Sequence, residues 1–405
     1  MANMIDYLAW RGEFGFDVTP WNPVDALLMA TLSYLGFHST SDGRGWTLAE
    51  ANRIELVQEE GSPSFKDRKR MFQAMAESPR FAECRMHHYI ALTDPEQEMQ
   101  FSAVCVDLPD GTMCVAYRGT DNTIVGWRED FNMAYQTMVP AQEAAVYYLA
   151  QAAEQTKRPL RLVGHSKGGN LAVYAAAGAT AGVKDRIESI WAFDAPGMNM
   201  KMSRDEGYLQ IKDKIRAYIP QSSVIGLLME YFQPYTVVRS NAQGITQHDP
   251  MTWQVYGPRF EEVKGGVDHA AEVMRDTLHD WLENSTPEQR GAFVDVMFQY
   301  IESTKATRFS DLTSEKLKSL LIMVGNRKEV DPEARRAFNR LMAQAVTLGV
   351  GNVLERVRNR KEGAAPEEKA GAEETVSAIP EENQAQETDA GPEDGRRDEA
   401  DDQRD

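Results

Sequence analysis

Apolar positions change their period twice along this chain. Up to about Arg85 they recur at helical spacing. Asn22-Pro23 opens the run Val24-Asp25-Ala26-Leu27-Leu28-Met29-Ala30-Thr31-Leu32, a capping residue followed by proline at the first helical position. Residues 47–57 and 65–75 predict two more helices, with the loop Gly61-Ser62-Pro63-Ser64 between them. From about His88 the pattern becomes strand-like at 88–92, 99–106 and 113–117, and the turn at 107–112 carries Asp110-Gly111 at its tip. A helix at 140–155 precedes strands at 160–165, 187–193, 215–219 and 235–239. Beyond about Phe260 the period is helical again, at 262–282, 287–303, 314–324 and 332–347.

Strands that alternate with helices predict an α/β architecture, a mainly parallel sheet of the α/β-hydrolase type with helices on both faces and helical additions at each end. The chain divides accordingly into an N-terminal helical segment (1–86), a core (87–258), a C-terminal helical segment (259–362) and a tail (363–405). Charge changes the picture only in that tail. The net charge is −18, and from Ala364 onward fifteen Asp and Glu stand against four Lys and Arg with almost no large apolar residues. Such a segment cannot offset its ordering entropy, so it is expected to be disordered.

Without the tail the folded part is only mildly acidic, which argues against a nucleic-acid partner. The three cysteines, Cys84, Cys105 and Cys114, have neither the number nor the spacing of a disulfide framework or a metal knuckle. They fit a reducing compartment. The N-terminus lacks the basic start and apolar run of a signal peptide, and no stretch reaches the ~18 apolar residues of a membrane span, so the expected location is cytoplasmic. Oligomeric state is left open.

The candidate chemistry centres on Leu160-Arg161-Leu162-Val163-Gly164-His165-Ser166-Lys167-Gly168-Gly169-Asn170-Leu171. A strand, the pattern G-x-S-x-G and a small-residue helix in that order read as a nucleophile elbow, with glycines where a strained serine needs neighbours lacking a β-carbon. A serine nucleophile requires a base, an acid that orients the base, and donors for the oxyanion. His248 is the candidate base, because it follows the strand at 235–239 in a polar loop, after Ser166 in chain order. His165 adjoins Ser166 and points to the other side of the strand, as a core or supporting residue. Asp194, at the end of the strand 187–193, is the candidate acid, ahead of Asp249 beside His248. A turn or capping role for Asp194 is the alternative. Thr120, in the loop after the strand 113–117, and the N–H of Lys167 are the candidate oxyanion donors, the alternative being that Arg118-Gly119-Thr120 is an ordinary turn.

Tyr117-Arg118-Gly119-Thr120-Asp121 with Trp127 and Asp130 resembles the R-G-[ST]…W…D segment of class 3 lipases, and Gly164-His165-Ser166-Lys167-Gly168-Gly169 resembles their elbow. Together with Phe193-Asp194-Ala195-Pro196-Gly197, Pro220-Gln221-Ser222-Ser223-Val224 and Gln247-His248-Asp249, the set is most similar to the Mbeg-like group of bacterial α/β hydrolases. The resemblance spans roughly residues 22–255. It implies a lipase- or esterase-type serine hydrolase that acts on a small-molecule or lipid ester without metal or cofactor, with Thr120 in the oxyanion hole. One departure matters: the segment 221–225, where class 3 lipases carry the catalytic aspartate, has serine here. Either Asp194 supplies the acid or the triad is incomplete. Two functions therefore stand at this point, an active serine hydrolase and a catalytically weak or inactive binding or scaffold protein on the same fold.

Overall fold

A computed structural model of the chain describes residues 2–37, 45–54 and 64–303, apart from 122, 134, 224, 228 and 230–233. The helices expected at 314–324 and 332–347 and the acidic tail lie outside the described residues. The N-terminal part contains helices α1 (Met4–Arg11), α2 (Pro23–Leu32), α3 (Leu48–Ala51) and α4 (Phe65–Glu77) and the short strand β1 (Trp46–Thr47). Then come β2 (Arg85–Asp94), β3 (Met99–Asp107), β4 (Met113–Tyr117), α5 (Ile124–Asn132), α6 (Pro140–Glu154), β5 (Leu160–His165) and α7 (Lys167–Gly178). The order continues with α8 (Ala181–Arg186), β6 (Ile187–Phe193), α9 (Met200–Ser203), α10 (Glu206–Leu209), β7 (Ile215–Pro220) and β8 (Tyr235–Val238). A small hairpin of β9 (Val255–Tyr256) and β10 (Arg259–Phe260) precedes α11 (His269–Glu283) and α12 (Pro287–Ser303).

Strands β1 to β8 form one sheet in sequential order. The first three pairings are antiparallel and the four from β4 to β8 are parallel. This is an α/β-hydrolase-type sheet, and alternation along its strands feeds two cores. Val104, Val106, Cys114, Ala116, Val163, Trp191 and Phe193 pack with α1, α2 and α4 on one face. Ala103, Cys105, Met113, Val115, Leu160, Leu162, Ile190 and Ala192 pack with α6 and α7 on the other. The N-terminal helices therefore share a core with the sheet. On α2 the Asn22 side chain accepts from the N–H groups of Val24 and Asp25, and buried Asp25 receives the Arg80 guanidinium at 2.5 Å.

Two local expectations are corrected. Of residues 47–54, only Leu48–Ala51 are helix, because the chain turns at Asn52, and residues 55–57 lie outside the described residues. No helix is predicted between the strand 113–117 and the helix at 140–155, yet the segment after Thr120 contains α5, which Thr123 caps by accepting from the Gly126 N–H at 3.2 Å. Among the described residues no helix is long and apolar enough to cross a membrane.

Candidate active site

Ser166 sits between the last residue of β5 and the first of α7, at φ +57° and ψ −136°. A non-glycine residue there costs about 1–3 kcal/mol, so the surrounding packing must hold it. The glycines show how close that packing is: a β-carbon on Gly164 would stand 2.1 Å from the Gly168 carbonyl, and one on Gly168 would stand 2.2 Å from the Tyr117 carbonyl oxygen. Strand, turn and helix thus touch backbone to backbone. The Ser166 N–H donates to the Phe193 carbonyl at 2.9 Å, which ties the elbow to the end of β6.

Asp194 follows Phe193 directly, also at positive φ (+42°), with its N–H donated to the Tyr218 carbonyl of β7 at 2.7 Å. Its carboxylate is buried and fully engaged. Oδ2 lies 2.7 Å from His248 Nδ1, while Oδ1 accepts from the Ser223 hydroxyl and from the Gly226 N–H at 3.1 Å. Ser223 lies in the segment where the class 3 lipase pattern would have its aspartate. The serine there donates to the carboxylate of Asp194, at the end of the neighbouring strand β6. Asp249 is occupied elsewhere: it accepts from the Ser64 hydroxyl and from the Met251 N–H at 3.0 Å.

His248 ends a short 3-10 turn (Gly244–His248) held from both sides. The Gln247 side chain accepts from the Ser222 N–H at 2.9 Å, and buried Trp253 donates its indole N–H to the Gln247 carbonyl at 2.8 Å. His165 lies beneath His248, ring centroids 4.5 Å apart, and its Nε2–H donates to the His248 carbonyl at 2.8 Å. That acceptor leaves His165 Nδ1 to receive the Tyr34 hydroxyl at 2.8 Å. Burial holds the His165 pKa well below the usual histidine value, with the neighbouring His248 adding to the effect. It is a neutral support for the loop. Among the described residues no hydrogen bond joins Ser166 to His248.

The other wall of the site is the loop from Tyr117 to α5. A β-carbon on Gly119 would meet the Tyr34 hydroxyl at 2.1 Å and the His165 carbonyl at 2.5 Å, so the loop lies directly against the elbow. Neither the Thr120 nor the Lys167 N–H has an acceptor among the described residues. For Lys167 this follows from its place at the first position of α7. The Thr120 hydroxyl donates to Asp130 Oδ2 at 2.5 Å. Asp130 Oδ1 is buried without a hydrogen-bond partner, 3.9 Å from Lys167 Nζ. Burial pushes the Asp130 pKa up to about 6, against the opposing pull of Lys167 and of the Thr120 hydrogen bond.

Sequence reasoning missed the role of the Lys167 side chain. Fully buried, its ammonium donates to Glu129 Oε2 at 2.8 Å, to the Gln100 carbonyl at 2.9 Å and to Gln100 Oε1 at 3.1 Å. Glu129, also fully buried, further accepts from the N–H groups of Gln100 and Ala141. The pair joins the elbow to α5, and so to the loop of Thr120. A lysine directly after Ser166, with Glu129-Asp130 upstream in the chain, was the available signal. It goes unread unless 124–132 is recognised as a helix packed on the elbow. The structure thus brings Ser166, His248, Asp194, Thr120 and Lys167 to one end of the parallel strands and turns Asp249 away.

No curated protein matches the chain. Solved structures with similarity include the M37 lipase, at 15% identity over 50% of this chain and 68% of that one with a TM-score of 0.32. A triacylglycerol lipase from Penicillium expansum matches at 14% identity over 38% and 70%, TM-score 0.29. The Rhizomucor miehei lipase propeptide complex matches at 12% identity over 58% and 80%, TM-score 0.32. Residues 75–299 match the Mbeg1-like family. That stretch is more than half of the 405 residues and runs from the end of α4 through the elbow and the histidine loop into α12, so the chain belongs to the Mbeg1-like family.

Proposed function

We propose that this protein is a serine hydrolase of the esterase or lipase type that cleaves an acyl ester through Ser166, His248 and Asp194. The observation that supports it best is the 2.7 Å contact between His248 Nδ1 and Asp194 Oδ2, made at the sheet edge that presents Ser166 on its elbow. A carboxylate acceptor keeps the proton on Nδ1, which leaves Nε2 as the base. Ser166 Oγ attacks the ester carbonyl while His248 Nε2 takes its proton, and the developing oxyanion turns toward the N–H groups of Thr120 and Lys167. The alkoxide leaves with the proton returned from His248. Water, activated by the same nitrogen, then hydrolyses the acyl-enzyme. Asp194 holds the imidazole in register, itself held by Ser223 and Gly226.

A reducing, cytoplasmic setting accompanies this reading, supported by Cys84, Cys105 and Cys114 as buried free thiols. The substrate is expected to be a soluble ester with a short or medium acyl chain. The only dense basic runs, at 66–70 and 356–361, are respectively interrupted by an aspartate and followed by the acidic tail, a poor arrangement for an anionic lipid surface. The test is labelling with a fluorophosphonate probe and hydrolysis of a p-nitrophenyl ester. Ser166→Ala abolishes labelling, and Ser166→Ala and His248→Ala each lower kcat about a thousandfold or more, without adding when combined. Full activity of either folded variant refutes the assignment, and absence of labelling in the native chain points to a binding or scaffold role.

A further inference from the structure

We propose that His87, His88 and Cys105 form a binding site for one divalent transition-metal ion of the zinc class. His87 and Cys105 are direct cross-strand partners in the antiparallel pair of β2 and β3, so their side chains share a face. Alternation along β2 would send the next residue, His88, to the opposite face. Instead the register shifts between His87 and Ile90, and His88 takes φ +52°, a conformation that non-glycine residues seldom adopt. The two imidazoles then stand edge to face with centroids 4.8 Å apart and their Nδ1 atoms 2.5 Å apart. One ligand atom from each of His87, His88 and Cys105 falls within 4.8 Å of the others.

The chemistry of this donor set fits a borderline metal ion. Two imidazole nitrogens and a thiolate suit zinc, with bonds of about 2.0–2.1 Å to nitrogen and about 2.3 Å to sulfur. Ligand atoms of a tetrahedral site with such bonds stand roughly 3.3–3.6 Å apart, so the His87–His88 pair has only to open by about 1 Å. The His88 side chain is exposed, which leaves it room to make that adjustment. Supporting contacts are in place. The other nitrogen of His87, Nε2, is buried without a hydrogen bond and lies 3.3 Å from Asp107 Oδ1, the type of carboxylate that orients a metal-bound histidine once the ring turns toward it. The Tyr148 hydroxyl stands 3.3 Å from Cys105 Sγ and donates to the His88 carbonyl at 2.8 Å, which braces both ends of the cluster. Binding forms two metal–nitrogen bonds and one metal–sulfur bond and releases the Cys105 thiol proton to solvent.

The cluster is separate from the elbow. Cys105 pairs with Val115 and Val115 with Leu162, a row that crosses the sheet before β5 reaches Gly164 and Ser166. Linear spacing hid it, because its ligands meet through strand pairing and a bulge rather than through a C-x-x-C repeat.

The experiment uses the full chain, without a histidine tag and stripped by a chelator, titrated with cobalt(II) and then zinc(II). The expected result is one cobalt per chain, a thiolate-to-cobalt charge-transfer band, and displacement by one equivalent of zinc. His88→Ala, at an exposed position, weakens binding by at least about tenfold, and Cys105→Ser abolishes the band. Ser166→Ala binds metal as the native chain does, so failure of the catalytic reading leaves this result intact. No charge-transfer band, a band that persists in Cys105→Ser, or unchanged affinity in folded His88→Ala each overturns the proposal.

Discussion

Replacing Lys167 by methionine puts a number on the link between the elbow and the Thr120 loop. Methionine keeps most of the stem volume and removes the ammonium, which has no solvent exposure and donates to Glu129 and twice to Gln100. Glu129 then remains as a buried carboxylate supported only by the N–H groups of Gln100 and Ala141, at 3.0 and 2.8 Å. Removing one partner of a buried ion pair costs about 3–5 kcal/mol, and the two remaining amide donors place this case near the lower end, at about 3 kcal/mol. At about 2–4 °C per kcal/mol for a domain of this size, the Tm falls by roughly 6–12 °C. Adding Glu129→Gln removes the stranded charge, so the double variant is more stable than Lys167→Met alone, with a coupling of at least about 1.5 kcal/mol. Urea and thermal unfolding of the native chain, both single variants and the double variant measure this directly. A Lys167→Met cost under about 1 kcal/mol, or strictly additive effects, refutes the argument that the pair clamps the two segments.

Asp194→Asn presents an amide to His248 Nδ1 and favours the tautomer protonated on Nε2, so kcat on a p-nitrophenyl ester is expected to fall about 10⁴-fold, and a loss under tenfold contradicts the orienting role. Ser223→Ala removes the hydroxyl donor to buried Asp194 and one of the two acceptors of the Gly226 N–H, at a cost of about 1–3 kcal/mol in urea unfolding. An unchanged midpoint contradicts it. For Asp130 the folded pKa, about 6, lies above the ordinary aspartate value of 3.8, so the folded chain binds this proton more tightly than the unfolded chain does. Its stabilising contribution is therefore complete below pH ~4 and is lost as pH rises through ~6. An asparagine side chain does not titrate, so between pH 4 and 8 stability shifts toward Asp130→Asn relative to the native chain by up to about 2 kcal/mol, reduced from the full shift because the side chain is 21% exposed. Melting curves across that range read the difference, and a pH-independent offset refutes it.

The elbow was legible in the sequence because its requirements are local. A strained serine between strand and helix needs small neighbours in adjacent positions, and Gly164, Gly168 and Gly169 satisfy that within a few residues. The apolar runs of β3 to β6 were legible for the same reason, since a strand buried on both faces must be apolar at nearly every position. Chain order and loop position singled out His248 and Asp194, while the choice between Asp194 and Asp249 depended on which carboxylate meets Nδ1. That is a matter of how the ends of β6, β7 and β8 stand side by side. Helix α5 was hidden because its cap is a single threonine and its buried residues include Glu129, whose charge makes sense only beside Lys167.

The apolar core strands and the serine turn were therefore readable from residue order alone, both governed by contacts a few residues apart. The carboxylate that meets His248, the lysine clamp and the His87–His88–Cys105 cluster emerge only from the folded chain. Each joins groups far apart in the chain, and long-range pairing follows from the register of the sheet, which no local pattern encodes.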